Sequence, residues 1–93
     1  MEIIRSKKYL YSLQKIITYI SKDSKKRAFD FKHNIDEAVN NLIYMPYKCR
    51  QSIYFEDEHK RDLIIKGYTI VYKIDKLKDV IIIIGIKKYQ NNL

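Results

Sequence analysis

Between Arg61 and Ile74 the chain carries two β-patterned runs joined by one Lys66-Gly67 step, and this stretch constrains the fold more than any other. Leu63 and Ile65 alternate with Asp62, Ile64 and Lys66. Tyr68, Ile70, Tyr72 and Ile74 then fall on one side of a second run. A period of two, interrupted by a glycine that takes positive φ at no steric cost, predicts a β-hairpin over 61–66 and 68–75.

What precedes the hairpin has a different period. Ile3 and Ile4 mark a short strand over 2–6, and the Ser6 hydroxyl can cap a helix that follows. Tyr9, Leu10, Leu13, Ile16, Ile17 and Ile20 recur at steps of three and four, which places them on one helical face. Ser21-Lys22-Asp23-Ser24 breaks the pattern, and Asp23 or Ser24 can cap a second helix. There Ala28, Phe31, Ile35, Ala38, Val39, Leu42 and Ile43 keep the helical period until Pro46 stops it. Two helices joined by so few polar residues are expected to lie antiparallel.

Beyond Pro46 the period returns to two. Ser52–Phe55 reads as a strand, Glu56–Lys60 as a charged turn, and Lys76-Leu77-Lys78 as a second turn leading into a strand over 79–88. Val80–Ile84 is apolar on both faces, which suits an interior strand covered on both sides. Gln90–Leu93 reads as a loose tail. The order β-α-α-β-β-β-β predicts an α+β fold. It has a short N-terminal strand and an antiparallel helical hairpin packed on one face of a mainly antiparallel, four- to five-stranded sheet.

Composition narrows the function classes. Ninety-three residues suffice for one domain, 1–93, and for little more. Nineteen Lys and Arg against 11 Asp and Glu give a net charge of +8, which favours nucleic acid, the ribosome or an acidic protein as partner. The same Ile, Lys, Asn and Tyr mixture also arises from codons low in G and C, so part of the excess is compositional. One cysteine, Cys49, allows no internal disulfide and suggests a reducing compartment. The first residues lack the apolar core of a signal peptide, and the longest apolar run is too short to span a bilayer. Together these predict a cytoplasmic location and no membrane partner. His33, His59 and Cys49 show no metal-ligand spacing, so no metal or cofactor is expected and the histidines are read as solvated. Tyr68 and Tyr72 are expected in or near the core. Arg61 is expected to pair with Glu56 or Asp57. Lys25-Lys26-Arg27 sits at a helix start, where the dipole disfavours cations.

The ordered set of motifs resembles the RelE/ParE superfamily of toxins from bacterial type II toxin–antitoxin modules. The resemblance rests on the helical pair, Pro46-x-x-x-Arg50, Arg61-x-Leu63, Gly67-Tyr68-x-Ile70-x-Tyr72, and an apolar strand ending in Gly85 and basic residues. It implies a growth-inhibiting toxin whose partner is a small acidic antitoxin that wraps it, with a toxin–antitoxin heterotetramer as a further expectation. It also implies one of two targets. RelE-like members cleave mRNA in the ribosomal A site, and ParE-like members bind DNA gyrase and stop it resealing DNA.

Residue by residue, the resemblance weakens the nuclease branch. Of the two Lys positions before the glycine turn in RelE-like enzymes, one is matched by Lys60 and the other holds Asp62. The Arg after the hairpin Tyr is replaced by Thr69, which removes a planar phosphate clamp. Lys87 and Lys88 match the basic position after the last strand, and the C-terminal Tyr position falls on Leu93, with Tyr89 nearby. A second nuclease subgroup is imitated by Lys88-Tyr89 with Glu56, although lysine is a poor acid near neutral pH. The ParE-like branch, favoured here, needs no catalytic set; the His that many of its members carry after the last strand is absent. Candidate target-binding residues are therefore Arg50, Lys60, Arg61, Lys87 and Lys88. Candidate catalytic residues, for a metal-independent endoribonuclease, are Lys60, Arg61, Lys87, Lys88, Tyr89 and Glu56.

Overall fold

The hairpin closes where the glycine placed it. Ile65 pairs directly with Tyr68, and Lys66 (φ 54°) and Gly67 (φ 80°) form the two-residue loop. Both loop residues at positive φ is the pattern of a type I′ turn, whose twist matches that of the flanking strands. Only Gly67 announced this in the sequence; Lys66 adopts the left-handed region because the strands on either side leave it no alternative.

The computed structural model describes residues 1–89. Its elements are β1 (Glu2–Arg5), α1 (Lys7–Ser21), α2 (Lys25–Asn40), a 3₁₀ turn (Asn41–Ile43), β2 (Arg50–Gln51), β3 (Lys60–Ile65), β4 (Tyr68–Asp75) and β5 (Val80–Lys88). The five strands form one sheet in the order β1-β5-β4-β3-β2. Only β1 runs parallel to its neighbour, β5; the other pairs are antiparallel. The expected α+β architecture holds. The tail over 90–93 lies outside the described residues.

The helical caps do more than start helices. Ser6 Oγ accepts the Tyr9 amide at 3.1 Å and donates to the Ile84 carbonyl at 3.0 Å. Ile84 is the extra residue of a β-bulge, since Val71 pairs with Gly85 while Tyr72 pairs with Ile83. One hydroxyl thus caps α1 and occupies a carbonyl that the bulge takes out of the ladder. Ser24 caps α2 in the same way, accepting from the Arg27 amide at 3.1 Å. Arg5, at the foot of α1, donates to Asn40 at the far end of α2 at 2.6 Å, so the helices run antiparallel.

The core lies between the helical pair and one face of the sheet. Tyr9, Leu13, Ile35, Val39 and Leu42 meet Ile70, Tyr72, Ile74, Ile81, Ile83 and Ile86. Each isoleucine fully withdrawn from water there contributes about 1.5–3 kcal/mol. Tyr72 is fully buried and Tyr68 half-buried, edge-on to Phe31 with ring centroids 5.5 Å apart.

The strand expected over Ser52–Phe55 does not form. Pairing with β3 stops after Gln51, and the Ser52 amide makes one last bond to the Lys60 carbonyl at 2.8 Å. Two side chains then capture the next amides: Asp62 Oδ2 accepts from Ile53 at 3.1 Å, and Ser52 Oγ accepts from Tyr54 at 3.2 Å. Such side-chain acceptors compete with a ladder and here they replace it. Residues 52–59 become a strap over the second face of the sheet, closed by Asp57, whose carboxylate accepts the His59 amide at 2.9 Å.

Candidate target-binding surface

Asp62 is the knot that holds the strap. Alternation along β3 points its carboxylate away from the helices, and the residue is 1 % exposed. Its Oδ2 receives Arg50 Nε at 3.3 Å, a terminal nitrogen of the same guanidinium at 3.2 Å, and the Ile53 amide. Arg50, expected to face a target, therefore spends much of its charge inside the molecule. Its remaining side reaches the Tyr89 ring, with 5.9 Å from the guanidinium carbon to the ring centre.

Two lysines pin the strap from the sheet side. Lys60 Nζ lies 4.0 Å from the centre of the Phe55 ring, and Lys87 Nζ 4.1 Å from that of Tyr54. These are cation–π contacts, which hold an ammonium without cancelling its charge. Lys60 pairs with Lys73 of β4, whereas Lys87 pairs with Thr69. Four residues and two strand spacings put the lysine backbones roughly 16 Å apart, too far to grip one phosphate together. Lys88 lines a groove against α1 instead, with Ser12, Lys15, Ile16 and Tyr19.

Arg61 turns to the other face and makes no bond to Glu56 or Asp57. It donates Nε to the Glu58 carbonyl at 2.9 Å and a terminal nitrogen to the Cys49 carbonyl at 3.2 Å, beneath the Tyr47 ring. The guanidinium satisfies two loop carbonyls that no strand reaches, which explains why it ignores the neighbouring acids. Tyr47 in turn shares a 2.7 Å hydrogen bond with His59 Nδ1, so His59 is engaged rather than solvated. Tyr72 donates its hydroxyl to the Pro46 carbonyl at 2.6 Å, and burial raises its ionisation well above the ordinary tyrosine range. That phenol stays protonated and anchors the segment leading into β2. The five expected target-binding residues thus do not form one rim: Arg50, Lys60 and Lys87 border the strap, Arg61 lies beneath Tyr47, and Lys88 faces α1.

The nuclease positions are occupied by a different kind of chemistry. Asp62 and Thr69 are buried, at 1 % and 0 % exposure. Lys60 is stacked on Phe55. Glu56 is exposed on the strap, and among the described residues it has no hydrogen-bond or ion-pair partner. Tyr89 is half-exposed, its amide bonded to the Gly67 carbonyl at 2.9 Å. The Leu93 position lies outside the described residues. Sequence reasoning missed Tyr54, Phe55 and Tyr47 as partners of the cations. The one available signal was their place among charged residues in a segment with only two-residue periodicity to recommend it.

No helix among the described residues is long and apolar enough to cross a membrane. Comparison with curated proteins gives no match. Among solved structures, the chain is similar to one described as the chromosomal ParDE toxin–antitoxin system from P. aeruginosa. The TM-score is 0.76 at 17% identity, over 97% of each chain. That likeness concerns the fold. Residues 3–92 match the family model of the ParE toxin of the type II toxin–antitoxin system, parDE. A match over nearly the whole sequence places this chain in the ParE toxin family, as a type II toxin whose partner is an antitoxin.

Proposed function

We propose that this toxin arrests bacterial growth by binding DNA gyrase and that it performs no chemistry of its own, acting as a single toxin domain in the cytoplasm. What carries the reading is the burial of Asp62 and Thr69 at the two sheet positions where a nuclease of this fold needs exposed cations. A carboxylate held by Arg50 under a strap offers nothing to a scissile phosphate, because transition-state charge there calls for donors and cations. The surface left to contact a target is the margin of the strap and of β5, with Lys60, Lys87 and Lys88 as its cations and Arg50 and Arg61 as their supports. A net charge of +8 suits a small acidic antitoxin whose C-terminal segment orders as it covers the toxin, in a heterotetramer.

Induced expression in a bacterial host tests this. Growth arrest with an SOS response and gyrase-linked DNA breaks, relieved by co-expressing the neighbouring acidic gene, is the expected result. Arrest with A-site mRNA cuts and no SOS response overturns the gyrase reading in favour of a ribosome-dependent endoribonuclease. Harmless expression overturns both. The double change Lys87→Ala, Lys88→Ala is expected to weaken toxicity, and unaltered toxicity removes those lysines from the surface.

A further inference from the structure

The cations of the two helices are treated differently. Of the four Lys and Arg residues of α2, two, Lys26 and Lys32, bond Asp30 and Asp36 at 2.9 and 2.6 Å. Helix α1 contains no acidic residue, and among the described residues none of its lysines has a carboxylate within ion-pair distance. Along its outer face run Tyr11, Lys15, Tyr19 and Lys22, at steps of four, four and three. The two tyrosines are 67% and 72% exposed, in contrast to Tyr9 and Tyr72, which are fully buried in the core. Between them lies a trough of about 380 Å³ floored by Gln14, Lys15 and Thr18. Lys15 Nζ sits 5.2 Å from the Tyr11 ring centre. On the flank, Lys15 and Tyr19 also wall the groove of about 600 Å³ that ends at Lys87 and Lys88.

We infer that this crest of α1, continued by Lys87 and Lys88, binds single-stranded nucleic acid by stacking bases on Tyr11 and Tyr19 while the lysines follow the phosphate chain. Eight residues of helix separate the two tyrosines by about 12 Å. That is room for two stacked nucleotides between the rings. Alternation of protruding aromatic rings with unpaired cations is the arrangement that grips a strand without reading its sequence. An acidic peptide is the less suited occupant of the crest, because a peptide anchor is drawn into a pocket, and these rings stand out from the surface. Nothing in this inference depends on which enzyme or particle the toxin inhibits.

Fluorescence anisotropy with the full chain and labelled twelve-nucleotide oligo-dU and oligo-U, which differ in the sugar alone, tests it, with polyglutamate as competitor. We expect binding to at least one oligonucleotide, weakening with salt at a log–log slope of about −2 for three phosphate contacts. Tyr11→Ala and Tyr19→Ala are each expected to weaken it about fivefold or more, whereas Tyr11→Phe and Tyr19→Phe keep the ring and the affinity. Preference for one oligonucleotide assigns the sugar. Three results overturn the inference: no binding to either strand, binding that ignores both tyrosines but falls with Lys15→Ala, and equal displacement by polyglutamate at matched charge. The last of these assigns the crest to an acidic protein. Both tyrosines are largely solvated, so circular dichroism of the variants should match the parent.

Discussion

Replacing Arg50 with alanine strands a carboxylate that folding has already removed from water. The Asp62 side chain is 0% exposed and Arg50 37%, with 3.2 Å between the charged atoms. Removing one partner of a fully buried pair costs about 3–5 kcal/mol, because the other charge is left uncompensated. Two features reduce that here: water can follow the half-open path that Arg50 vacates, and the Ile53 amide still donates to Oδ2 at 3.1 Å. The expected loss is about 2–3 kcal/mol. For a chain of this size each kcal/mol moves the melting temperature by about 4–8 °C, so Arg50→Ala should melt roughly 8–24 °C lower. Urea titration and thermal melts measure the stability; amide exchange at Ile53 and Tyr54 reports whether the strap has loosened first. The pair Arg50→Met with Asp62→Leu should recover most of the loss, since well-packed apolar replacements of buried ion pairs are often neutral. A loss under about 0.5 kcal/mol for Arg50→Ala, or a double variant weaker than the single, refutes the claim that this pair ties the strap down.

Two further outcomes follow from buried hydroxyls. The Tyr9 phenol is fully buried and its ionisation is pushed from 10.0 up to about 12, first by burial and then by the nearby Asp36 charge, with Arg5 opposing. The unfolded phenol ionises near 10 while the folded one resists, so this contribution is intact below pH 10 and is lost between about pH 10 and 12. The loss is about 2–3 kcal/mol, and Tyr72 adds in the same direction. Tyr9→Phe also removes a buried hydroxyl with no partner among the described residues; urea titration should find it at least as stable at pH 8 and visibly less sensitive at pH 11. Ser6→Ala removes both the α1 cap and the bond to the bulged Ile84 carbonyl, and should cost about 1–2 kcal/mol in a thermal melt.

Local chemistry was legible wherever neighbours in sequence decide it. The two helices and most of their buried faces, the Ser6 cap, the Gly67 turn and the doubly apolar β5 were readable, because each depends on residues within one or two turns of chain. Leu10 and Ile43, expected on those faces, are exposed, and the sequence does not choose Ser24 over Asp23 as the second cap. Ser52–Phe55 was not: its residues favour a strand, but Asp62, nine residues beyond Ile53, captured the Ile53 amide and Ser52 Oγ that of Tyr54. The same distance effect hid the partners of Arg61, which depend on loop carbonyls whose need for donors appears only once the loop is folded. Of the site, identities were legible and grouping was not. Lys60 and Arg61 are adjacent in sequence and face opposite sides of the sheet, while Lys60 and Lys87, far apart in sequence, share a side.

The most direct measurement of how this toxin acts uses purified protein and two reactions run in parallel. One is DNA supercoiling by gyrase, and the other is ribosome-dependent cleavage of a defined mRNA read by primer extension. Loss of supercoiling with accumulation of cleaved DNA, and an uncut message at the same toxin concentration, is the predicted outcome. Cuts at the A-site codon with supercoiling unimpaired would show that a sheet face with Asp62 and Thr69 buried still supports RNA chemistry, and would contradict the account.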